Sequence, residues 1–559
     1  MRTPTECIQS LRKNGKKEWK IAFLAAFITG ILVHLPVFMM DVPNHDGLAS
    51  VYFDQNMITS GRWFLTVACG ISSYYTLPWL IGLLSVLWLS ITCVILIDLL
   101  EIRNAGLIVM VSALLVSFPA LASTYAYIFT ADGYMLALLL AVLAVWLARK
   151  KKWGWISGGI CLAFSLGTYQ GYLSVAVLLC IYMIITEFLD QKNPDEMNSD
   201  DKNLDENKNT RIRDSVWCVG KYICMGLTGV ILYYVLLQIL LRVQGKVLDT
   251  YQGINGMANI GGTSLLQTLV KMYTDFLNFA GKGKILFNNN VFSLAAFAVL
   301  AVLLLWTILK LAVKRSLYKN PWFYLCILGV AVFVPPSMNL ILLISPEVGY
   351  HLLMRYQYVL LPVLALTFTQ HYLLEEKPKE QAQGESCEDD MASGKSSARN
   401  GCMAGWLLLA AGMVLSFNFM VSDQIGYSNL QKRYEKTYAY CLRLADRIEQ
   451  TPGYYTGMPV VIMGVVGDEN FPSTDITTEV TGNMIGLCGD YLCYTGQNYK
   501  DFFKHYLGIT IEIVDQEQVG EIYTNSEVYH ELDSFPGANC TKVVDGMLYV
   551  KTENKLEEY

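Results

Sequence analysis

The fold class that the sequence predicts is an α-helical polytopic membrane protein of about eleven transmembrane helices with a small external α/β C-terminal domain. The first observation is composition: the 559 residues are 53% hydrophobic and only 16% charged, whereas soluble domains carry about 25% charged residues. The second is a series of apolar runs long enough to cross a bilayer as helices. The third is the end of the chain, where short strand-like and helix-like patterns replace those runs.

Eleven apolar runs predict the spans. Two of them form one stretch of double length that is interrupted at "GTYQGY", and this interruption predicts the tip of a helical hairpin. The first run is too long for a cleaved signal peptide and is interpreted as a retained span. The predicted spans are 21–40, 77–100, 105–122, 133–149, 154–170, 172–189, 216–241, 290–312, 321–340, 352–373 and 403–421.

The distribution of Lys and Arg predicts the orientation. The segments "RKNGKKEWK", "ARKKKW" and "KLAVKRSLYKN" fall on one side, together with the polar insertions 190–215 and 376–400. Basic loops stay in the cytoplasm, so we expect the N-terminus inside and, after eleven spans, the C-terminus outside. Both insertions have little apolar content and are predicted to be disordered linkers. The net charge of −6 is small and gives no indication of a nucleic-acid partner.

The chain is predicted to divide into a membrane domain, 1–420, and an extracytoplasmic α/β domain, 421–559. In the second domain "LQKRYEKTYAYCLRLADRIEQ" has helical spacing, and "MPVVIMGVVG", "ITIEIVD" and "KVVDGMLYVKT" are typical of strands. Four cysteines of this domain can form external disulfides, whose pairing the sequence leaves open: Cys441, Cys488, Cys493 and Cys540.

Polar residues gather at the predicted outer ends of the spans. Charges beside or inside a membrane are costly, so they indicate function. The predicted topology brings segments that are distant in sequence to one membrane face. The candidate site residues are Asp41, Asn44, His45, Asp46, Arg62, Trp63, Asp132, Tyr169, Gln170, His351 and Arg355.

Carboxylates and an arginine at the outer leaflet suit glycosyl transfer from a lipid phosphate. A carboxylate can take the proton of an attacking sugar hydroxyl, and an arginine can hold a phosphate leaving group through two hydrogen bonds. Arg62 has two interpretations, a clamp for phosphate or carboxylate, or a side chain that reaches the headgroups from an interfacial helix. The aromatic residues nearby can stack on sugars or form an interfacial belt.

Four features of the chain are considered together: an acidic residue after the first span, "SGRWF", "ADGYMLALLL" and "GTYQGYLS". On these features the chain resembles the Gtr-type glucosyltransferase family over roughly residues 20–450. The resemblance implies a GT-C-like bundle in the bacterial cytoplasmic membrane. It implies a donor of polyprenyl-phosphate-linked sugar, typically glucose, and a surface polysaccharide or teichoic-type glycan as acceptor. It implies that no cofactor is required; a divalent metal and a partner flippase stay open.

The same resemblance implies roles for individual residues. Asp46 takes the position of the catalytic acid in the first external loop, with Asp41 as the alternative. Members of the family often have two adjacent acids there, whereas this chain has "NHDG", which leaves open whether His45 shares the role of base. Asp132 matches a second acidic position near the acceptor, and Arg62 matches the arginine of "SGRWF", whose role is open.

On physical grounds, we expect Arg355 to bind the donor phosphate in a single inverting displacement. His351, Tyr169, Gln170, Asn44 and Trp63 are the further candidates for contact with substrate.

Three other functions remain as alternatives. A polymerase or ligase of lipid-linked glycans uses similar chemistry on a longer donor. A transporter or flippase of lipid-linked sugars would carry charges deep within its spans. A non-catalytic membrane scaffold would tolerate replacement of Asp46 and Arg355.

Overall fold

Most of the chain is a bundle of long helices, and a small sheet follows at its C-terminal end. The computed structural model describes residues 15–190, 204–250, 265–282, 290–345, 348–374, 388–463, 484–488, 492–493, 495–514 and 526–552, with Thr3 and Thr5. The helices of the bundle are α1 (Lys17–Met39), α2 (Leu65–Cys69), α3 (Pro78–Leu99), α4 (Ala105–Val116), α5 (Ala120–Ala126), α6 (Ile128–Lys150), α7 (Gly154–Thr168), α8 (Leu173–Asp190), α9 (Leu204–Gln244), α10 (Leu265–Lys282), α11 (Val291–Lys314), α12 (Pro321–Met338), α13 (Ile341–Ile344), α14 (Leu360–Thr369) and α15 (Glu388–Glu449).

A helix lies at each of the eleven predicted runs, but the count of eleven spans is not confirmed. Within the described residues, eight helices are long and apolar enough to cross a membrane, or nine if α4 and α5, bent by 43° at their junction, form one span. The helices at the other predicted runs are too short to meet this criterion. Helix α7 has 15 residues and α14 has 10, which correspond to about 22 Å and 15 Å at about 1.5 Å per residue, against about 30 Å of hydrocarbon.

Small residues let the helices approach each other closely. At Gly82 of α3 a Cβ atom would lie 2.3 Å from the ring of Phe38 on α1. At Gly167 of α7 a Cβ atom would lie 2.5 Å from the indole of Trp63. Between membrane helices association depends on such close packing, because lipid is as apolar as the side chains.

One end of the bundle, which we call the basic end, is held by ion pairs. The carboxylate of Asp98 accepts hydrogen bonds from Lys16 at 2.6 Å, Trp19 at 3.0 Å and Trp146 at 2.8 Å. Glu101 accepts a hydrogen bond from Lys150 at 2.9 Å. The opposite end carries the first interhelical loop and the C-terminal sheet, and we call it the tail end.

The two predicted linkers are partly helical. Helix α9 begins at Leu204 and α15 begins at Glu388, so 204–215 and 388–400 belong to these helices in the structure, while disorder of the linkers stays a prediction. Polar helix-forming residues extend a helix that the apolar run has already nucleated, and propagation is easier than nucleation. The other residues of both linkers, except Asp190, which ends α8, lie outside the described part of the chain.

Helix α15 joins the bundle to the C-terminal domain without a break. Its 62 residues pass the predicted boundary at 420/421 in mid-helix. Leu415 and Phe419 pack in the core of the bundle, whereas Leu444 and Ile448, further along the same helix, pack in the core of the sheet. The helix therefore couples the orientation of the sheet to that of the bundle.

The C-terminal sheet has four strands in the order β2-β1-β4-β3. Strand β1 (Pro459–Met463) is parallel to β2 (Glu512–Ile513) and β4 (Met547–Lys551), and β3 (Thr541–Val544) is antiparallel to β4. Asp545 and Gly546 turn the β3–β4 hairpin, both with positive φ, as Asp-Gly does in tight hairpins. Strands therefore form in all three predicted stretches. Two short helices, α16 (Gly496–Phe502) and α17 (Glu527–Glu531), complete the domain, and its four cysteines are free thiols.

Candidate functional site

The first loop at the tail end, residues 40–50, is fixed by local hydrogen bonds and by one apolar anchor. The side-chain oxygen of Asn44 accepts a hydrogen bond from the backbone N–H of Gly47 at 2.8 Å, which shapes the short helix Asp46–Ala49. Within this short helix, Leu48 is fully buried in the core of the C-terminal domain. The loop is therefore held between the bundle and the sheet.

His45 and Asp46 form an accessible acid–base pair on this loop. Nε2 of His45 lies 3.5 Å from Oδ1 of Asp46, and the Asp46 side chain is 59% exposed. Burial lowers the pKa of His45, the nearby Asp46 opposes that shift, and Arg433 of α15 adds to it. The imidazole is thus kept neutral beside an exposed carboxylate, a combination that can accept a proton from a substrate hydroxyl.

Asp41 lies at a separate cavity. The cavity, of about 160 Å³, is bounded by the first loop, by the α5–α6 junction and by residues of the C-terminal domain. Burial raises the pKa of the Asp41 carboxyl. Asn44 lines the same cavity, whereas Asp46 does not belong to its lining.

The "SGRWF" and "GTYQGY" segments are brought together, as the site prediction requires. The backbone N–H of Phe64 donates to the carbonyl of Gly167 at 2.7 Å. Nη1 of Arg62 donates to the hydroxyl of Tyr134 at 3.0 Å, and its guanidinium lies 5.8 Å from the ring of Tyr169.

Gln170 and Trp63 support this arrangement from either side. The amide of Gln170 donates to the carbonyl of Ser60 at 3.1 Å and to the hydroxyl of Tyr233 at 3.3 Å. The indole of Trp63 is buried against Gly167. Both side chains are packed into the turn that carries Arg62, so they act here through the position of that arginine.

Asp132 is buried in a different environment. Its side chain lies against Ser72 and the thiol of Cys69, and its Oδ1 accepts a hydrogen bond from the N–H of Gly133 at 2.9 Å. Among the described residues its Oδ2 has no hydrogen-bond partner. Asp132 therefore faces α2 and is not grouped with Asp46.

Arg355 pairs with an acid that the sequence did not single out. Its guanidinium donates to both oxygens of Asp275 on α10, at 2.5 and 2.8 Å, and to the carbonyl of Tyr350 at 3.0 Å. It also lies 3.7 Å from the ring centroid of Tyr350 and 4.5 Å from that of Phe279. The amphipathic pattern of 265–282 was the signal that could have placed an acid at the membrane surface.

His351 lies close to this group. Burial, and then the positive charge of Arg355, lower the pKa of its imidazole. The neutral imidazole adds no positive charge to that of Arg355.

A row of tyrosines joins the surroundings of Arg355 to those of Arg62. Ring centroids are 6.2 Å apart between Tyr356 and Tyr172, 5.1 Å between Tyr172 and Tyr169, and 4.3 Å between Tyr169 and Tyr134. The hydroxyls of Tyr169 and Tyr172 are buried and, within the described structure, make no hydrogen bond. The row is buried, so it acts as a packed aromatic connection between the two arginines.

An apolar cavity of about 320 Å³ lies among α8, α11, α12 and α14. Along α12 it extends from Phe323 to Met338, about 22 Å at about 1.5 Å per residue. Its tail-end limit adjoins the Arg355 group, because the carbonyl of Met338 accepts hydrogen bonds from Gln357 at 2.5 Å and from the hydroxyl of Tyr350 at 3.2 Å.

Sequence reasoning also missed Asp423, which lies two residues beyond the last predicted span. Because α15 continues as a helix, Asp423 is fully buried in the bundle, and neither of its oxygens has a hydrogen-bond partner in the part of the chain that is described. One turn further on, the hydroxyl of Tyr427 donates to Nδ1 of His34 at 2.6 Å, since Nε2 of His34 donates to the carbonyl of Val116. The prediction ended this helix where the apolar run ends, whereas the helix continues beyond it.

Among the described residues, no group of three or more His, Cys, Asp or Glu side chains is arranged to hold a metal ion.

Comparison with known proteins gives one match. The model of a family described as Glucosyl transferase GtrII matches residues 35–366, more than half of the 559 residues. No curated protein and no solved structure matches the chain. The matched region contains the first loop, Arg62, Asp275 and Arg355, and it ends before the C-terminal domain.

Proposed function

The chain belongs to the Glucosyl transferase GtrII family, and from this premise we propose that it transfers glucose from a polyprenyl-phosphate carrier to a cell-surface glycan. Membership indicates a glycosyltransferase, and the apolar helices indicate a multi-pass membrane protein. The lipid carrier, the surface glycan and the inverting course of the reaction are parts of the proposal.

The observation that carries the proposal of a lipid donor is the apolar cavity that ends at the Arg355 group. A prenyl chain requires an apolar channel within the hydrocarbon region, and its phosphate requires a cation at headgroup depth. The cavity runs along α12 for most of the thickness of that region. Arg355, stacked on Tyr350, lies beside its tail end.

Arg355 is the first choice for the donor phosphate, and Arg62 the second. The pair with Asp275 uses two of the guanidinium's N–H groups, so phosphate binding there involves partial exchange of the carboxylate for the phosphate. An arginine–phosphate pair gains from the same bidentate geometry. Arg62 lies at the far end of the tyrosine row, where it would meet a phosphate or the sugar.

In the proposed reaction, Asp46 takes the proton of an acceptor hydroxyl, with His45 beside it as a second acceptor of that proton. The hydroxyl oxygen forms a bond to C1 of the glucose, the bond from C1 to the phosphate oxygen breaks, and polyprenyl phosphate leaves with the electron pair. One displacement inverts the configuration at C1. The leaving charge is stabilised by an arginine already in place, which is how preorganised sites lower a barrier.

We place the basic end in the cytoplasm and the tail end outside, in the bacterial cytoplasmic membrane. The support is the cluster of Lys16, Lys150 and Arg149 at one end, which follows the positive-inside rule. In this orientation the donor is used on the outer face, so a partner flippase would deliver it.

A transporter of lipid-linked sugars is the second candidate function, and one observation favours it. Asp423 is an acid deep among the helices, and such residues often mark transport pathways in membrane proteins. A glycan polymerase or ligase shares the proposed chemistry, and the size of the donor that is consumed separates it from the first proposal.

The test uses the purified full chain in lipid nanodiscs with synthetic polyprenyl-phosphate-[14C]glucose and envelope glycan as acceptor. Asp46→Asn should reduce transfer by about 100-fold or more, in the range of a lost general base. Asp54→Asn changes an exposed aspartate just beyond the same loop and should leave transfer normal. In sealed proteoliposomes, movement of intact donor across the bilayer without transfer by the wild-type protein would support the transporter. Undiminished transfer by Asp46→Asn would remove Asp46 from the role of base.

A further inference from the structure

The cavity between the first loop and the C-terminal domain combines the groups that recognise a sugar. It is bounded by Asp41 and Asn44 of the first loop, Thr76 before α3, Phe129 of α6, and His505 and Tyr506 of the C-terminal domain. A carboxylate accepts hydrogen bonds from sugar hydroxyls, an amide donates to them, and an aromatic ring covers the apolar face of a pyranose.

One hydrogen-bond donor at this cavity has no partner among the described residues. Nδ2 of Asn44 is buried and has no hydrogen-bond partner among the residues that the structure describes, while Oδ1 of the same side chain is held by the N–H of Gly47. The side chain is fully buried and its orientation is fixed by the N–H of Gly47, so its amide hydrogens lack a partner until a hydroxyl group or a water molecule reaches them from the cavity. A buried polar atom without a partner is costly and is a mark of a binding site.

The contribution of the C-terminal domain is rigid. Tyr506 stacks on Phe502 with ring centroids 5.4 Å apart and lies against Tyr434 of α15 at 5.8 Å. The carboxylate of Asp41 is near enough that, after burial, its charge is the next largest cause of the raised pKa of the Tyr506 hydroxyl. Asp41 and Tyr506 therefore line the same small space.

We propose that this cavity is the acceptor subsite and that it binds one uncharged pyranose unit of the acceptor glycan, with Asp41, Asn44 and Tyr506 as its hydrogen-bonding residues. The inference rests on the proposed function and extends it, because it assigns the C-terminal domain to acceptor recognition. The cavity is next to the loop that carries Asp46, which would receive the attacking hydroxyl's proton.

The charge of the cavity selects among acceptors. Asp41 would repel a phosphodiester, and desolvation already disfavours its ionised form, so a second negative charge would raise that cost further. A neutral polysaccharide therefore fits this subsite, and a teichoic-type polyanion does not.

The experiment titrates the full chain in nanodiscs with three neutral probes, methyl β-D-glucopyranoside, methyl α-L-rhamnopyranoside and methyl N-acetyl-β-D-glucosaminide, and with glycerol 3-phosphate as the anionic probe. Binding is followed by saturation-transfer NMR. We expect at least one neutral probe to bind, with a Kd that rises about tenfold in Asp41→Asn and about threefold or more in Tyr506→Phe. Glycerol 3-phosphate should not compete.

His530→Ala, which changes an exposed histidine elsewhere in the same domain, is the control and should bind as the wild type does. Tyr506→Phe retains the stacked ring, so loss of binding in it reports on the hydroxyl and not on the fold. The proposal is overturned if no neutral probe binds, if Asp41→Asn and Tyr506→Phe bind unchanged, or if glycerol 3-phosphate binds more tightly than the neutral probes.

Release of glucose from polyprenyl-phosphate-glucose is measured in the same samples. Binding of a neutral probe with no consumption of donor would leave the subsite standing and refute the proposed transfer. Consumption of donor without any effect of the Asp41 and Tyr506 substitutions on probe binding would refute the subsite alone.

Discussion

The substitution Arg355→Gln tests the donor site most sharply. The guanidinium makes three hydrogen bonds, two to Asp275 and one to the carbonyl of Tyr350, and Gln can replace one of them at most. If the same group holds the donor phosphate, loss of one charge-assisted hydrogen bond costs about 1.5–3 kcal/mol. This cost corresponds to about a 10- to 150-fold rise in the KM for the donor.

The substitution also leaves Asp275 without its partner. For a fully buried pair this costs about 3–5 kcal/mol, but the Asp275 side chain is 23% exposed, so we expect about 1–2 kcal/mol after solvent screening. The double variant Asp275→Asn/Arg355→Gln removes the uncompensated charge. It should regain thermal stability while its KM for the donor stays high.

The assay measures the initial rate of transfer against the concentration of synthetic polyprenyl-phosphate-glucose, with melting followed by intrinsic fluorescence. Arg315→Gln is the matched control, since Arg315 lies near Asp190 at the basic end. A folded Arg355→Gln protein whose KM for the donor stays within about twofold of the wild type would refute the reasoning.

Three further predictions concern the first loop and the tyrosine row. Leu48→Ala empties a fully buried position in the core of the C-terminal domain, so calorimetry should show a loss of about 2–4 kcal/mol; an unchanged melting temperature would contradict the anchoring of the loop. Because burial lowers the pKa of His45 below its ordinary 6.5, the unfolded chain takes up this proton first as the pH falls. Stability should therefore be constant above about pH 6.5 and decrease below it. In melting curves recorded over a series of pH values, His45→Gln should weaken the dependence of the melting temperature on pH; the same dependence in the variant and the wild type would count against this. Gly167→Ala places a Cβ atom 2.5 Å from the Trp63 ring and should shift the turn that carries Arg62, with a loss of about tenfold in transfer as measured by the [14C]glucose assay; Gly226→Ala, which meets nothing within 4 Å, is its control.

The sequence was sufficient to predict where the helices lie and which of them carry polar residues at their ends. Long apolar runs decide where membrane helices form, because the backbone must satisfy its own hydrogen bonds there, and a helix lies at each predicted run. The "SGRWF" and "GTYQGY" segments are also in contact, as expected from their positions at the same membrane face.

The contacts between distant elements could not be predicted in the same way. Asp275 lies within an amphipathic segment that the eleven runs did not include, and only packing brings it to Arg355. Asp423 appeared to follow the last span, because hydropathy marks where apolar residues end and not where the helix ends. Burial of Leu48 in the C-terminal domain depends on a tertiary contact across about 400 residues of sequence, which no local pattern reports.

Photolabelling of the apolar cavity tests the donor proposal most directly. A polyprenyl-phosphate-glucose analogue with a diazirine on its prenyl chain is added to the full chain in nanodiscs. The sample is irradiated, and the labelled residues are located by peptide mass spectrometry. We predict labels on the cavity-lining positions of α12 and α14, such as Val330 and Leu364, that unlabelled donor suppresses. Labels confined to residues outside the cavity, or labels that unlabelled donor does not reduce, would contradict a prenyl chain in this cavity.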